Sequence, residues 1–403
     1  MKDVVIAGAA RTPMGGFQGV FSKVTAAQLG GVAIKAALQD AKAAPDRVED
    51  LTMGCVLPAG QGQAPARQAG FFGGLGQNVP ATTLNKMCGS GMKAAMIGFD
   101  QIALGQADVV VAGGMESMTN APYVLPQMRG GARLGHGRVQ DHMFLDGLED
   151  AYEKGRLMGT FAEDCAEKFQ LTREAQDHYA LTSLDRAKTA QASGAFEGEL
   201  TAVTVTSHHG ETTVFAGDIG RGEVVSEDEQ PGNARPEKIP HLKPVFRRDG
   251  TVTPANSSSI SDGGAALVLS SADAAEAQGM SVRARILGYA GHAQEPGWFT
   301  TAPIPAARKL LDRIGWTTDD VDLWEVNEAF AVVPMIFMRE MGLDHDIVNV
   351  NGGACALGHP IGASGARIMV TLLNALEKRG FKRGVAAICI GGGEGAAIAI
   401  ERI

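Results

Sequence analysis

The sequence predicts an α/β fold made of two similar layered halves, and three observations support this class. Short apolar runs without polar alternation, such as DVVVA at Asp108–Ala112 and VAAICI at Val385–Ile390, are typical of strands covered by helices on both faces. A helix-forming stretch precedes each run. The two runs also occupy matching positions in two halves of the chain.

Two independent offsets indicate this internal duplication. VEDL at Val48–Leu51 is matched by VDLW at Val321–Trp324, which begins 273 positions later (321 − 48). Gly91 and Gly365 open the helices that lead into the two apolar runs, and they lie 274 positions apart (365 − 91). Agreement of the offsets within one residue makes chance similarity a poor explanation.

A segment of different texture interrupts the first half at about residues 116–250. It contains a helical pattern over Arg173–Ala192 and a polar string broken by Pro and Gly at Glu227–Pro244. Long loops in compact enzymes often bind substrate, so this segment could form a lid; a surface or oligomer contact is the alternative. We expect an N-terminal half over residues 1–270, including this insertion, and a C-terminal half over residues 271–403.

Composition and charge exclude several function classes. A length of 403 residues favours two or three structural units. The formal net charge of −9 argues against nucleic acid or an acidic membrane as a partner. No apolar stretch approaches the roughly 20 residues of a membrane span, and the first apolar run is too short for a signal peptide, so we expect a cytoplasmic protein.

The five cysteines are an odd number without a C-x-x-C spacing, which argues against disulfides and zinc. The histidines also lack ligand spacing, and we predict no metal site. Glycine clusters are common, but none has the G-x-G-x-x-G spacing of a dinucleotide-binding strand–helix turn.

Three residues beside glycines could carry nucleophilic or acid–base chemistry. Cys88 in NKMCGSG lies directly before a helix, whose dipole and free N–H groups should lower the pKa of the thiol. His359 precedes a proline, which keeps it outside a helix, and an ordinary imidazole pKa suits proton transfer from a thiol. Cys389 ends an apolar strand before three glycines. Cys355, four residues before His359, competes for the role of second thiol, although the duplication favours Cys389.

Two polar motifs could assist this chemistry. Asn327 in NEAF closes a predicted strand, and its amide could orient a water molecule or hold an oxyanion without adding charge. The run Ser257–Ser259 forms a hydroxyl-rich turn that could bind a ligand, although serine runs are more often plain loops. Neither motif alone identifies a reaction.

Four blocks together resemble the thiolase family, and the resemblance covers essentially the whole chain. The blocks are NKMCGSG (Asn85–Gly91), NEAF (Asn327–Phe330), GGACALGHPIGASGAR (Gly352–Arg367) and CIGGG (Cys389–Gly393). The resemblance implies duplicated α/β halves in a layered α-β-α-β-α core with an inserted loop domain. It also implies a reversible Claisen condensation of two acetyl-CoA to acetoacetyl-CoA plus CoA through an acyl-cysteine. The alternative within the family is a degradative 3-ketoacyl-CoA thiolase of fatty-acid β-oxidation.

The resemblance assigns catalytic roles residue by residue. Cys88 is the nucleophile that accepts the acyl group. His359 is the base that activates it and contributes, with a water held by Asn327, to a first oxyanion hole. Cys389 is the second proton acceptor and donor. The backbone N–H of Gly391 joins that of Cys88 in a second oxyanion hole.

Substrate contacts follow from the same resemblance. Ser258 matches the family serine that contacts the pantetheine arm. Phe299 replaces a pocket methionine, and its bulk should narrow the pocket and favour short acyl chains. In the lid, Leu157 stands where short-chain members have histidine. The candidate substrate-binding residues are Ser258, Met158, Phe299, Ala329, Phe330, Arg235 and Lys238, the last two as candidates for contacting the CoA phosphates.

The family resemblance implies acetyl-CoA, acetoacetyl-CoA and CoA as the ligands, no further cofactor, and a homo-oligomer built as a dimer of dimers. Glu394 departs from the pattern, since methionine or glutamine is common after the final glycines. A non-catalytic CoA-binding scaffold and a decarboxylating condensing enzyme are alternatives from other classes. The presence of both thiols together with His359 and Asn327 argues against a scaffold, and Cys389 argues against the decarboxylating enzyme.

Overall fold

A computed structural model describes residues 2–208 and 211–403 of the chain. The strands are β1 (Val4–Arg11), β2 (Gly15–Gly16), β3 (Asp50–Gly54), β4 (Ala81–Leu84), β5 (Val109–Ser117), β6 (Tyr123–Val124), β7 (Gln140–Asp141), β8 (Val203–His208), β9 (Glu211–Ala216), β10 (Glu223–Val225), β11 (Ser261–Ser271), β12 (Ala284–Ala293), β13 (Leu323–Val326), β14 (Arg383–Ile390) and β15 (Glu394–Arg402). The α-helices are α1 (Ala26–Ala41), α2 (Pro65–Phe72), α3 (Ser90–Ala103), α4 (Met158–Lys168), α5 (Arg173–Ala192), α6 (Glu229–Asn233), α7 (Ala272–Ala277), α8 (Pro303–Ile314), α9 (Val332–Met341), α10 (Ala354–Leu357) and α11 (Ile361–Arg379).

Ten strands join in one mixed sheet whose two sides repeat each other. The order is β13-β14-β15-β12-β1-β11-β5-β3-β4, and β2 pairs with β11. A short antiparallel contact between β1 and β12, with Val5 opposite Arg285, links the two sides. On the first side, β1 pairs antiparallel with β11, β11 pairs antiparallel with β5, and β5 pairs parallel with β3. On the second side, β12 pairs antiparallel with β15, β15 pairs antiparallel with β14, and β14 pairs parallel with β13. The repeat is the duplication that the two sequence offsets predicted.

Three buried clusters divide the molecule into layers. One cluster lies between the two sides of the sheet and contains side chains of α3 and α11, such as Met92 and Leu372. A second cluster places α1 and α2 on the outer face of the first half, and a third places α8 and α9 on the outer face of the second half. Alternate residues of β1 face opposite clusters, Ile6 inward and Val5 outward. The predicted α-β-α-β-α fold class is confirmed.

Missing Cβ atoms let α3, α11 and β5 approach one another closely. A Cβ added at Gly114 in β5 would overlap the carbonyl oxygen of Gly362 in α11. A Cβ added at Gly365 would lie 2.5 Å from the backbone nitrogen of Met92 in α3. The contact brings the N-termini of α3 and α11 together, and with them the turns that carry Cys88 and His359.

The inserted segment contains both regular and irregular structure. Its helix α5 has the bounds that the sequence predicted, and the hydroxyl of Thr172 caps it by accepting a hydrogen bond from the N–H of Ala175. Strands β8, β9 and β10 form a small antiparallel sheet. The Pro- and Gly-rich string contains only α6 and the 3-10 turn Pro236–His241. No helix in the described part of the chain is long and apolar enough to cross a membrane.

Replacing Gly114 by alanine should lower the free energy of unfolding by about 3 kcal/mol, because the added methyl group forces α11 away from β5. Urea unfolding followed by circular dichroism measures the change. Gly130→Ala is the matched control, since a Cβ there meets nothing within 4 Å, and its effect should stay within about 0.5 kcal/mol. Equal stability of both variants would show that α11 can shift without cost.

Candidate active site

The turn that carries Cys88 is fixed by the serine that follows it. The hydroxyl of Ser90 donates to the carbonyl of Met87 (2.6 Å) and accepts from the N–H of Lys86 (2.9 Å). Met87 has a left-handed φ of 47°, which a non-glycine residue adopts only under such constraint. Cys88 is half-buried at the end of this turn, two residues before α3.

The loop after β14 meets this turn from the other half of the molecule. The backbone N–H groups of Gly391 and Cys88 act on the Cys88 thiol and lower its pKa, although burial has the larger, opposite effect. The Cys389 thiol is buried and close enough to Cys88 to feel its charge. A Cβ added at Gly89 would lie only 2.5 Å from Cδ1 of Ile390, so the two loops are in contact. The structure therefore brings Cys88, Cys389 and Gly391 together.

Burial, rather than the helix dipole, dominates the acidity of both thiols. It raises the pKa of Cys88 to about 11, against the lowering effect of the two backbone N–H donors. The expectation of a lowered Cys88 pKa was therefore wrong. Burial, followed by the negative charge of a Cys88 thiolate, holds the pKa of Cys389 well above its ordinary value. A Cys88 thiolate thus requires a neighbouring base.

His359 is the residue that the sequence predicted as this base. Its backbone N–H donates to the carbonyl of Ser259 (3.1 Å), and Nδ1 of its ring lies 2.5 Å from the hydroxyl oxygen of Ser364. Because that hydroxyl donates to the carbonyl of Pro360 (3.0 Å), it accepts from Nδ1–H, which leaves Nε2 as the basic nitrogen. Nε2 is buried without a hydrogen-bond partner among the described residues. Burial, assisted by the charge of Arg367, lowers the pKa of His359 to about 3, so the imidazole is neutral at neutral pH.

Apolar side chains surround the Cys88 thiol and connect it with the turn of His359. Cys88 packs against a buried cluster that includes Ile361, two residues after His359. Sequence analysis could not identify this cluster, because its members come from segments that are far apart in the chain. The buried members are Val56, Leu57, Met118, Met143 and Ile361.

Asn327 presents an unpaired amide beside β14. Its backbone N–H donates to the carbonyl of Ala387 (3.0 Å), two residues before Cys389. Its side chain is fully buried, and neither Nδ2 nor Oδ1 has a partner in residues 2–208 and 211–403. A buried amide normally has hydrogen-bond partners, so this group is suited to hold a water molecule or a ligand oxygen.

Glu328 is a positioning residue that sequence reasoning did not identify. Its buried carboxylate accepts hydrogen bonds from the hydroxyls of Tyr179 and Ser183 (2.8 Å each). It also accepts from the side chain of Asn349 and the backbone of Cys355 (2.9 Å each). Four donors fix the segment that carries Asn327. The Cys355 thiol contacts the carbonyl of Glu328 (3.7 Å), and the structure therefore favours Cys389 as the second thiol.

Glu116 is a second group that the sequence did not reveal. Its carboxylate accepts from the backbone N–H groups of Val56 (2.9 Å), Leu57 (3.1 Å) and Gly362 (2.9 Å), and from the thiol of Cys55 (3.4 Å). It joins the loop after β3 to the N-terminus of α11, where negative charge is favoured. Burial nevertheless raises the pKa of Glu116 to about 7.

Several predicted substrate-binding residues lie beside the catalytic loops. A Cβ added at Gly391 would lie 3.5 Å from Sδ of Met158, which begins α4. The hydroxyl of Ser258 donates to the carbonyl of Ala329 (3.0 Å). Phe330 is buried next to Ala329, with its ring edge-on to a neighbouring phenylalanine.

The remaining predicted residues lie in two other places. Phe299 is buried among the side chains of α8 and α9, and its ring is edge-on to that of Phe161, with centroids 6.3 Å apart. Arg235 and Lys238 are exposed. They line a cavity of about 300 Å³ that Ser259 and Cys355 also border.

Two adjacent thiols and a neutral imidazole, held where duplicated α/β halves meet, define a class of enzymes that transfer acyl groups through sulfur. The chain belongs to the thiolase family: the thiolase N-terminal domain matches residues 4–273 and the thiolase C-terminal domain matches residues 280–402. It is 46% identical over 402 residues to an acetyl-CoA acetyltransferase of Cupriavidus necator, with 100% of both chains covered. It is 49% identical over 401 residues to acetyl-CoA acetyltransferase 2 of Arabidopsis thaliana, covering 99% of this chain and 97% of that protein.

Solved structures agree with the family assignment. The crystal structure of the Bacillus anthracis acetyl-CoA acetyltransferase superposes with a TM-score of 0.93 at 39% identity, covering 100% of this chain and 99% of that one. The Acat5 thiolase of Ascaris suum in complex with coenzyme A gives a TM-score of 0.91 at 40% identity, with full coverage of both chains.

A buried glutamate near an arginine should make the stability of the protein depend on pH. Glu325 in β13 lies 3.6 Å from Arg367 in α11, and burial raises the pKa of Glu325 to about 8. In an unfolded chain a glutamate has a pKa of about 4.3. The folded protein therefore binds the proton of the Glu325 carboxyl more tightly than the unfolded chain does. The stability that this proton contributes is complete below about pH 4 and is lost as the pH rises through about 8.

Glu325→Gln removes the titratable carboxyl and should flatten the pH dependence of the free energy of unfolding. Between about pH 5 and pH 8, the natural protein should lose stability relative to the variant, as measured by urea unfolding at each pH. Parallel stability curves for the two proteins would contradict the raised pKa of Glu325.

Proposed function

We propose that this protein is an acetyl-CoA C-acetyltransferase, which joins two acetyl-CoA to acetoacetyl-CoA and CoA in a reversible Claisen condensation. The observation that carries this proposal is the meeting of the two loops. Gly89 and Ile390 bring the two loops into contact. The N–H of Gly391 lowers the pKa of the Cys88 thiol, and the Cys389 thiol is close enough to feel the charge of Cys88. One site thus combines a nucleophile, an oxyanion donor and a second acid/base. The names of the relatives at 46% and 49% identity support the same activity.

The first half-reaction transfers an acetyl group to Cys88. Nε2 of His359 accepts the proton of the thiol as the sulfur attacks the thioester carbonyl. Collapse of the tetrahedral intermediate expels the CoA thiolate, which takes the proton of the Cys389 thiol, so that Cys389 becomes a thiolate while His359 keeps the proton of Cys88. Burial keeps both partners neutral at rest, so the proton moves during the attack rather than before it.

The second half-reaction forms the carbon–carbon bond. Cys389, as a thiolate, removes a proton from the methyl group of a second acetyl-CoA. The resulting carbanion attacks the acetyl group on Cys88, and the N–H groups of Cys88 and Gly391 stabilise the tetrahedral oxyanion. Collapse releases the Cys88 sulfur as a thiolate, which takes its proton back from Nε2 of His359, while Cys389 keeps the proton it removed from the methyl group. Nε2–H of His359 and a water on Asn327 stabilise the enolate oxygen.

Two thiols are needed because the first is occupied by the acetyl group when the second must move a proton. A thioester is already an activated acyl donor with acidic α-protons, so the proposed reaction requires acetyl-CoA and CoA but no cofactor or metal.

The CoA arm is proposed to run past Ser258 towards the cavity that Arg235 and Lys238 line. The hydroxyl of Ser258 donates to the carbonyl of Ala329, so its oxygen remains an acceptor for a pantetheine amide N–H. The two exposed cations suit the phosphates of CoA. Ala329 and Phe330 supply apolar surface at the inner end of the arm.

A degradative 3-ketoacyl-CoA thiolase of fatty-acid β-oxidation is the second candidate. The apolar cluster against Cys88 contains Met118 and Met143, and methionine side chains adapt readily to ligands of different size. Such a cluster could admit a longer acyl chain. Met158 at the other side of the site, with Phe299 packed in the adjoining cluster, favours the shorter chain.

We also propose a cytoplasmic homo-oligomer, a dimer of dimers in which the inserted segment takes part. One stretch of this segment exposes an unusual number of large apolar side chains, as oligomer contacts do. These are Tyr123, Leu125, Met128, Leu134 and Val139.

The proposed activity predicts CoA-dependent thiolysis of acetoacetyl-CoA, with kcat/KM at least about tenfold higher than for 3-ketoacyl-CoA substrates of six to ten carbons. The assay follows loss of the 3-ketoacyl-CoA absorbance. Cys88→Ala should abolish turnover of both. Comparable or faster turnover of the longer substrates would establish the degradative thiolase instead, and no turnover of either would overturn both candidates.

The variants that lack one of the two cysteines should be blocked at different steps of the reaction. Cys389→Ala should still accept radiolabelled acetyl from acetyl-CoA in a form that survives denaturation, while its condensation rate falls by at least about 10²-fold. Cys88→Ala should accept no label. Cys165→Ala is the matched control, since burial also raises the pKa of this thiol to about 11, and it should retain both steps. Label on the Cys88→Ala protein would contradict the assignment of the nucleophile.

A further inference from the structure

An ion pair joins the two loops that carry the catalytic cysteines. Nζ of Lys86 lies 2.5 Å from Oε2 of Glu394, across 308 positions of sequence. Lys86 is two residues before Cys88, and Glu394 is five residues after Cys389. The side chains are 29% and 39% exposed, so the pair lies at the surface of the site rather than within it. The mechanism proposed above uses neither residue.

The backbone of Lys86 is rigidly connected to the nucleophile. Its N–H donates to the hydroxyl of Ser90 (2.9 Å), and its carbonyl accepts from the N–H of Gly89 (3.1 Å). These bonds enclose Cys88 on both sides. A force on the Lys86 side chain therefore acts directly on the turn of the nucleophile.

Glu394 is equally well connected to the loop that holds the oxyanion donor. It begins β15, where it lies opposite Ile390 of β14 and Ala293 of β12. Between Ile390 and Glu394 stand three glycines, and two of them, Gly392 and Gly393, have φ near +90°. Such a loop has little stiffness of its own. The carbonyl of Gly393 accepts from Gln294 on the side of β12, whereas the Lys86 ion pair restrains the side that faces Cys88.

We propose that Lys86 and Glu394 are positioning residues that hold the N–H of Gly391 against the sulfur of Cys88. An oxyanion hole requires its donor within about 2.7–3.1 Å of the developing charge, and small displacements lose much of the effect. The pair closes the two loops on each other at the point where the glycines would otherwise allow them to separate. This inference rests on the proposed thiolase function.

Exchanging the charges of Lys86 and Glu394 tests whether the pair acts by positioning the two loops or only through the electric fields of its charges. Lys86→Gln and Glu394→Gln should each lower kcat about tenfold, with KM unchanged within about twofold. The double variant should be no slower than either single variant, because both break one connection. Exchanging the charges, as Lys86→Glu with Glu394→Lys, restores the pair and should recover kcat to within about threefold.

The reactivity of Cys88 provides a readout that does not depend on turnover. Loss of the Gly391 N–H from the sulfur should raise the pKa obtained from the pH dependence of iodoacetamide alkylation in both single variants. If the two charges acted only through their fields, removing the Glu394 carboxylate would lower that pKa and removing the Lys86 ammonium would raise it. Shifts in opposite directions would overturn the proposal.

A matched ion pair serves as the control. Lys2 pairs with Asp108 at 2.6 Å with side chains 40% and 46% exposed, at the far end of α3 from Cys88. Lys2→Gln should leave kcat and the alkylation profile unchanged. Single variants as active as the natural protein, or an exchanged pair as slow as the single variants, would also overturn the proposal. A natural protein inactive in thiolysis would overturn the proposed function, while the alkylation test would still decide this inference.

Discussion

The close contact between α11 and the first half of the molecule is the constraint on which the site depends. It exists only because Gly114, Gly362 and Gly365 have no Cβ atoms. With α3 and α11 side by side, the turn of Cys88 and the turn of His359 reach the same edge of the sheet. Any larger residue at these glycines would move the turn of Cys88 away from the turn of His359, so the proposed mechanism depends on the glycines as well as on the thiol and the imidazole.

Burial is the second consequence of this packing, and it determines the charge state of the site. The same loss of water that raises the pKa of Cys88 lowers that of His359, so both rest uncharged. Uncharged groups can be buried at modest cost, whereas a preformed thiolate–imidazolium pair would have to be desolvated. The helix dipole is too weak to reverse this balance. Charge therefore develops only when substrate is bound, where the N–H of Gly391 and the amide of Asn327 can stabilise it.

The sequence predicted the elements that depend on local pattern. Helix α5 has its predicted bounds, and Thr172 caps its N-terminus. The partners of Glu116 and Glu328 could not be predicted, since their donors come from segments far apart in the chain. The duplication already favoured Cys389 over Cys355, and the fold adds that the Cys355 thiol contacts the carbonyl of Glu328. The effect of burial on the Cys88 thiol was equally invisible, because desolvation is a property of the assembled core.

The duplication gives the two halves equivalent strands, β5 and β14, but not equivalent thiols. With the offset of 274, the position of Cys389 corresponds to Met115 in β5 (389 − 274), and that of Ile390 corresponds to Glu116. Only the second copy carries a thiol near the end of this strand, while the first carries a structural carboxylate that anchors α11. The two halves thus have equivalent positions at the ends of β5 and β14, but the residues at these positions differ in chemistry. Because the reactive groups stand on separate halves, their alignment depends on contacts that cross between the halves rather than on either half alone.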